Sequence, residues 1–523
     1  MLSGACERVE EQMRRRWRFL GALAWVLVVA GWPGLASAQQ GHELVIAQPV
    51  DIDGWDIHDH NNTAYEAVLV NVFDYLVFSD ADGVLQPGLA TAWERVDDLS
   101  MRFYLREGVV WHDGEPFTAE DVKFTLERVA TDPSLREHGQ YRQVREVEIV
   151  GRHEVVIHTH EPEPVLLRRL SRIGSSIVAK HHIEAIGGWE SISDHLPVGT
   201  GPFRVVEWRR DERIVMEAFH DHWRGRPAWD RLIHRAIPEP STRVAELLTG
   251  GVHIATNIPP VDRRRIEAAA NVRIEPWPTS RVMLYVMNTQ GVGTRDKRVR
   301  MAIDYAIDNQ LMIDALYDGL GVPVRGRATP GINAAPMEFW NSYLYDPERA
   351  VELLAEAGYG PGDLTIHIQG PAARYPLDSE IVELTAVMLQ AVGIRTTLEI
   401  LEFSAYQSRV WNTENVQHMA LIGLANSLRD AAITYTGVMC DGGYAIMHNW
   451  CSPEFDAMYE QALVEMDPDR RAGLFREVFS IVAEERVYVH LFQLENMAGV
   501  ANTVDWSPRA DEYLWMFEAK PTN

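Results

Sequence analysis

The sequence predicts an α/β protein, and three observations lead there. Segments that alternate β-branched or aromatic residues with polar ones are interleaved along the chain with segments of helical period. No short-period repeat or low-complexity linker interrupts this alternation over 523 residues, enough chain for two or three domains with real cores. The apolar fraction, 46%, is that of a globular protein and argues against disorder.

Taken in order, the chain opens on Arg14, Arg15, Arg16 and Arg18, an apolar run FLGALAWVLVVAGW, a Pro33-Gly34 break and the triplet Ala36-Ser37-Ala38. Basic stretch, apolar stretch and small-x-small site together read as a secretory signal over residues 1–38, cleaved after Ala38, with Met13 as an alternative start. Phe19-Leu20 follows the arginines in an order unlike a twin-arginine signal, so ordinary secretion to the periplasm is expected; no cysteine near the cleavage site invites acylation. No other apolar run is long enough to span a bilayer. Glu43–Ala47 then starts a strand, and Met101–Leu105 and Glu154–Thr159 alternate as half-buried strands. Thr118 and Asp121 form a capping box ahead of Val122, Leu126 and Val129 at helical spacing. Asp296 begins a helix through Ile307, with Val299, Ile303, Ala306 and Ile307 on one side. Asp346-Pro347 opens a helix that Gly358 closes, with Val351, Leu354 and Ala355 as its apolar face. Glu380–Val392 is a helix feeding the strand Ile394–Leu401.

With 49 basic and 75 acidic residues the formal charge is −26; five arginines and three acidic residues leave with the signal, taking it to −28. Nucleic acid and anionic membrane both need a basic footprint, so neither is expected as a partner. Two cysteines remain after cleavage, Cys440 and Cys451, since Cys6 lies in the signal. In an oxidising compartment the two read as one disulfide, with a pair of buried free thiols as the alternative. Neither has zinc-ligand spacing. There is no G-x-S-x-G, P-loop or H-E-x-x-H; HEVVIH (His153–His158) sets its second histidine one position too far along. No enzyme activity and no cofactor are therefore expected. Asp56-Ile57-His58-Asp59-His60 and His158-Thr159-His160 place alternate side chains on one face of an extended segment. Paired imidazoles there can hold a divalent ion, but a solvated strand face is the commoner use, and no metal site is predicted.

Leu85–Arg128 (LQPGLATAWERVDDLSMRFYLREGVVWHDGEPFTAEDVKFTLER) resembles the diagnostic stretch of family 5 of the extracytoplasmic solute-binding proteins, which serve peptide and nickel ABC transporters. ELVIAQPVDIDGWDIHD from Glu43, VGTGPFRVVEW (Val198–Trp208), MNTQGVGTRDKRVRMAIDYAIDNQ (Met287–Gln310) and DPERAVELLAEAGY (Asp346–Tyr359) are similar to further blocks of that family, in the same order. The resemblance covers nearly the whole mature chain. It implies a periplasmic-binding-protein-like clamshell (type II, cluster C). Lobe I is built from residues 39–84, 198–281 and 493–523, an inserted domain from 85–197, and lobe II from 282–492. Such lobes close on a ligand about a hinge. The implied role is that of the substrate-binding component of an ABC importer, which takes a peptide or peptide-like solute and hands it to permease and ATPase subunits. A monomer is expected.

The dipeptide-binding branch is the nearest, and its cysteine loop is similar to MCDGGYAIMHNWCSPEFD (Met439–Asp456). In that branch an arginine pairs with the ligand carboxylate, which the segment AARYPLDSE places at Arg374, beside Tyr375. A bidentate guanidinium suits that task. The branch also has an aspartate for the ligand ammonium. Here the matching loop, Gly423 to Ala431, carries Ser427 at that position, next to Asn426, and keeps only Asp430. A serine accepts a hydrogen bond but cannot neutralise an ammonium. That turns the expectation from a free dipeptide toward a blocked peptide, an opine-like conjugate, a glutathione-like thiol peptide, a sugar or a nickel chelate. Trp411, His448 and Trp450 are expected on the lobe II wall, and Asp53 and Trp55, with Asp51 and His58, in the first-lobe turn. A secreted hydrolase or a ligand sensor on the same scaffold is the alternative.

Overall fold

Two long antiparallel strands cross the molecule and join its halves. The computed structural model describes residues 42–60, 63–372, 374–410 and 416–522; the signal expected over residues 1–38 and the candidate Trp411 lie outside the described residues. The chain enters lobe I through β1 (Glu43–Gln48), whose Leu44 and Ile46 turn inward, and α1 (Thr63–Leu69).

It then leaves to build the inserted domain. Strands β2 (Ala90–Asp97) and β3 (Ser100–Leu105) precede α2 (Ala119–Thr131), and β4 (Val144–Gly151) and β5 (Glu154–Thr159) follow it. The four strands form an antiparallel sheet in the order β2-β3-β5-β4. The start of α2 is the capping box read from sequence, with the Thr118 N–H donating to the Asp121 carboxylate at 2.9 Å. Phe103, Trp111, Leu126 and Ile157 form this domain's own core. Arg128 of α2 ties it to lobe I, forking onto Asp56 at 2.8 and 2.7 Å and lying over the Trp189 ring at 3.8 Å.

Lobe I resumes with β6 (Phe203–Arg209), β7 (Arg213–Ala218), β8 (Arg231–Ala236) and β9 (Ile254–Ala255). The strand β10 (Val272–Met287) then crosses to lobe II. There α3 (Lys297–Ala306), α4 (Pro347–Glu356), β11 (Thr365–Ala372), α5 (Asp378–Ala391), β12 (Arg395–Glu402), β13 (Met419–Leu424) and α6 (Pro468–Glu485) follow. Strand β14 (Tyr488–Ala501) returns beside β10. The ladder runs β12-β11-β13-β10-β14-β9-β1-β8-β7-β6. β1 is parallel to β8 and β9, and β11 is parallel to β12 across the α5 crossover, the βαβ arrangement that parallel pairing requires. Between the lobes the register of β10 and β14 breaks: Pro278 pairs with Glu495 and Val282 with Gln493, and a second shift follows between Met283 and Leu284. Such a bulge interrupts the ladder and bends it. Separate cores lie on either side, Leu44, Phe203 and Trp515 in lobe I and Tyr285, Ile303 and Leu389 in lobe II.

One helix face differs from the sequence expectation. On α4 the buried residues are Ala350, Leu353 and Leu354; Val351 is 47% exposed and Ala355 is also outside. Both sets satisfy the i, i+3, i+4 spacing, and the small Ala350 is the one turned to the interior, a choice that the period alone does not make.

Candidate ligand-binding cleft

The carboxyl ends of the parallel strands face one another across a cavity of about 660 Å³. Ligands of open α/β sheets bind at those ends because the loops that follow are free to carry polar groups. β1 delivers Gln48 and Asp51, and β9 delivers Thr256 and Asn257. From lobe II, β11 delivers Arg374 and Tyr375, and β12 delivers Phe403. Trp277, Arg281, Leu494 and Asn496 of the crossover strands lie between, with Glu512 from the C-terminal tail.

Arg374 is held by its backbone. The N–H groups of Arg374 and Tyr375 both donate to the Asp378 carboxylate at 2.9 Å, which fixes the loop onto the first turn of α5. Its guanidinium lies 5.0 Å from the Tyr375 ring and 5.2 Å from Phe403. The Nε of Arg374 is buried without a hydrogen-bond partner, and no carboxylate pairs with this side chain among the described residues. Burial lowers its pKa below the ordinary arginine value, and the nearby positive charge of Arg281 acts in the same direction. Arg281 is in the opposite situation: it donates to the Gly423 carbonyl at 2.9 Å and pairs with Glu512 at 3.1 Å. Burial disfavours its charge, but Glu512, with smaller contributions from Tyr375 and Glu66, outweighs this and holds the pKa above the ordinary value. The floor therefore carries one arginine paired with a carboxylate and one with no ion pair among the described residues.

Of the described residues singled out from sequence, Arg374, Tyr375 and Asp51 line this cleft and the others are elsewhere. Asp430 is fully buried, receives Arg471 (Nη1 at 3.1 Å) and Asn333 (2.7 Å), and caps the short turn Ala431–Ile433. Asn426 is buried and donates to the Asp430 carbonyl at 2.9 Å. The Ser427 hydroxyl accepts the Nε–H of Arg172, from the inserted domain, at 3.0 Å. His448 is buried with Nε2 3.1 Å from the Gly437 carbonyl, and Trp450 packs edge-to-face on Phe455. Trp55 is a core residue against Trp208, and Asp53 is exposed outside the cavity lining. In that turn it is Asp51 that reaches the cleft, its carboxylate accepting the Trp208 indole N–H at 2.9 Å. Cys440 and Cys451 form the disulfide. His58 and His60 are buried, His158 meets Glu148 at 3.0 Å, and no group of three metal-ligating side chains occurs among the described residues.

Arg281, Glu512, Trp277 and Phe403 were not singled out from the sequence. Phe403 had a usable signal, since it directly follows a strand of a parallel pair. The Arg281–Glu512 pair spans 231 positions and leaves no local trace.

The model of the bacterial extracellular solute-binding proteins, family 5 Middle, matches residues 84–443. Heme-binding protein A of Haemophilus influenzae is 28% identical over 479 residues, covering 86% of each chain. The glutathione-binding protein GsiB of Salmonella paratyphi A is 25% identical over 490 residues, covering 91% of this chain and 92% of its own. The dipeptide-binding protein of Pseudoalteromonas sp. SM9913, solved with Met-Leu, superposes with a TM-score of 0.82 at 21% identity, covering 92% of this chain and all of its own. No helix among the described residues is long and apolar enough to cross a membrane.

Proposed function

The chain belongs to the bacterial extracellular solute-binding proteins of family 5, and we propose that it captures a carboxylate-bearing, peptide-like solute between its lobes in the periplasm and presents it to the permease and ATPase subunits of an ABC importer. The observation that carries this reading is Arg374: a guanidinium at the lip of a lobe II strand, set against two rings, with no carboxylate paired to it among the described residues. A partly buried charge with an unsatisfied Nε–H costs free energy that an incoming carboxylate recovers through charge-assisted hydrogen bonds.

We take the β10–β14 register break as the hinge, and with it the proposed lobe boundaries near residues 281/282 and 492/493. Ligand bound to both walls stabilises the closed form, and the permease reads that form. Capture alone is sufficient for this task, so the site is a binding site and not a catalytic one, and the protein works as a monomer. Three relatives or neighbours are named for heme, glutathione and a dipeptide; the carboxylate is the chemical group those ligands share. A ligand with a blocked or missing α-ammonium fits best here, because the Ser427 loop is occupied by Arg172.

Native mass spectrometry of protein purified without refolding identifies the co-purified solute by mass. Titration calorimetry with that solute then tests the site. Arg374→Ala weakens binding at least tenfold, about 1.4 kcal/mol. Unchanged affinity removes Arg374 from the ligand.

A further inference from the structure

The cleft uses only one face of β14. Side chains alternate along a strand, so Leu494 and Asn496 line the cleft while Gln493 and Glu495 point to the other side of the crossover. There they line a second cavity of about 220 Å³, together with Thr279 and Ser280 of β10, Trp340 and Arg429. That is room for about seven waters at liquid density, or for one small organic ion.

This back cavity carries one charge of each sign. Glu495 is half-buried, and its carboxylate has no hydrogen bond or ion pair among the described residues; burial raises its pKa. Arg429 is only 9% exposed, and its guanidinium makes a single long hydrogen bond, from Nη1 to the Ala81 carbonyl at 3.5 Å. No carboxylate pairs with it among the described residues. The placement of Arg429 is built in. Its backbone takes the left-handed conformation, φ 52°, that bulky residues avoid. Its guanidinium lies against Gly83 and Gly331, where a Cβ would come within 2.6 and 2.7 Å of it. Its carbonyl is held by the Asn333 N–H at 2.9 Å. Two opposite charges thus border one small cavity without pairing with each other, each lacking the partner that a buried charge normally has.

We propose that the cavity behind the crossover strands binds an amino-acid-sized zwitterion, its carboxylate on Arg429 and its ammonium on Glu495. Gln493 supplies the end wall, fixed by accepting the Trp340 indole N–H at 2.7 Å and donating to the Thr279 carbonyl at 2.7 Å. Because both crossover strands and lobe II form the walls, occupancy here and in the cleft are linked and must change each other's affinity by the same factor. That linkage rests on the clamshell reading above; the binding itself does not.

The experiment uses the full mature chain, with glycine and γ-aminobutyrate as zwitterions of two lengths, and acetate and methylammonium as single-charge controls, followed by saturation-transfer NMR. One zwitterion is expected to bind saturably in about the millimolar range, as suits so few contacts, with both controls at least tenfold weaker. Glu495→Gln and Arg429→Gln each weaken it at least tenfold, Ile332→Trp removes it by filling the cavity, and Arg374→Ala leaves it intact. The proposal is overturned if neither zwitterion saturates, if acetate binds as well as glycine, or if Arg374→Ala abolishes the signal while Glu495→Gln does not, the last placing the amino acid in the main cleft.

Discussion

The loops that follow β11 and β13 leave neighbouring parallel strands at the same edge of lobe II, yet they treat charge in opposite ways. After β11, Arg374 carries a charge with which no carboxylate pairs among the described residues. After β13, the polar groups on the cleft side are answered from within: Asp430 by Arg471 and Asn333, Asn426 by Thr434, Ser427 by Arg172, which is itself paired with Glu137 at 2.8 Å, while Arg429 of the same loop turns to the back cavity. Proximity to the cleft edge is therefore a poor guide to ligand contact. A loop that leaves a charge open is available to a ligand, whereas one that closes its charges is scaffold.

The largest effect that tests this contrast falls on the closed loop. Asp430→Ala strands Arg471, whose side chain is 4% exposed, without its carboxylate. Breaking a buried pair from one side costs about 3–5 kcal/mol, and urea unfolding reads it. The folded variant keeps its ligand affinity by calorimetry; a parallel loss of affinity would put Asp430 in the site and erase the distinction.

The closed network continues behind the cleft to Glu66 of α1, which is buried close to Arg172 and Glu137. Burial raises its pKa from 4.5 to about 7. The folded state then holds a proton that the unfolded chain releases, so this contribution to stability is complete below about pH 4.5 and is lost as pH rises through about 7. Glu66→Gln keeps the neutral form at all pH values. It is expected to match the wild type near pH 4 and to exceed it near pH 8 by up to about 3 kcal/mol. Denaturant melts at the two pH values check the sign, and a variant that loses stability at pH 8 would show that the charged carboxylate is the one the network wants. The Arg374→Ala change comes next in size and acts mainly on the other quantity, reducing affinity more than folding stability, because it breaks only contacts with the Tyr375 and Phe403 rings and no ion pair among the described residues.

What was legible in the sequence follows the range of the interaction. The capping box of α2, the bounds of the strand Glu154–Thr159 and the buried face of α3 depend on neighbours within a turn or a pleat and stand as read, although that strand is not half-buried as expected, because Val155, Val156 and Ile157 are covered on both faces. The face of α4 slipped by one residue because two registers satisfy the same period. Arg374 and Tyr375 were reachable because they follow a strand end in a recognisable segment. Asp430 and Ser427 were misleading for the opposite reason. Their partners lie 41 and 255 positions away, and nothing local to the loop announces that Arg471 and Arg172 will fill it. Trp55 looked available in its turn until Trp208, from a strand of the same lobe, closed over it.

The smallest predicted effect separates sequence position from structural surroundings most sharply. By position alone, Ser427→Asp restores an ammonium partner and should shift preference toward ligands with a free amine. In the structure the new carboxylate faces Arg172, whose Nε already lies 3.0 Å from the serine hydroxyl. It is claimed by a guanidinium before any ligand arrives. The ratio of affinities for a free-amine peptide and its N-acetylated form is therefore expected to change by less than about twofold, roughly 0.4 kcal/mol. Calorimetry on the matched pair of peptides decides between the two. A clear gain for the free amine would mean that Arg172 yields the loop to the ligand, and that the second wall of the cleft is as open as the first.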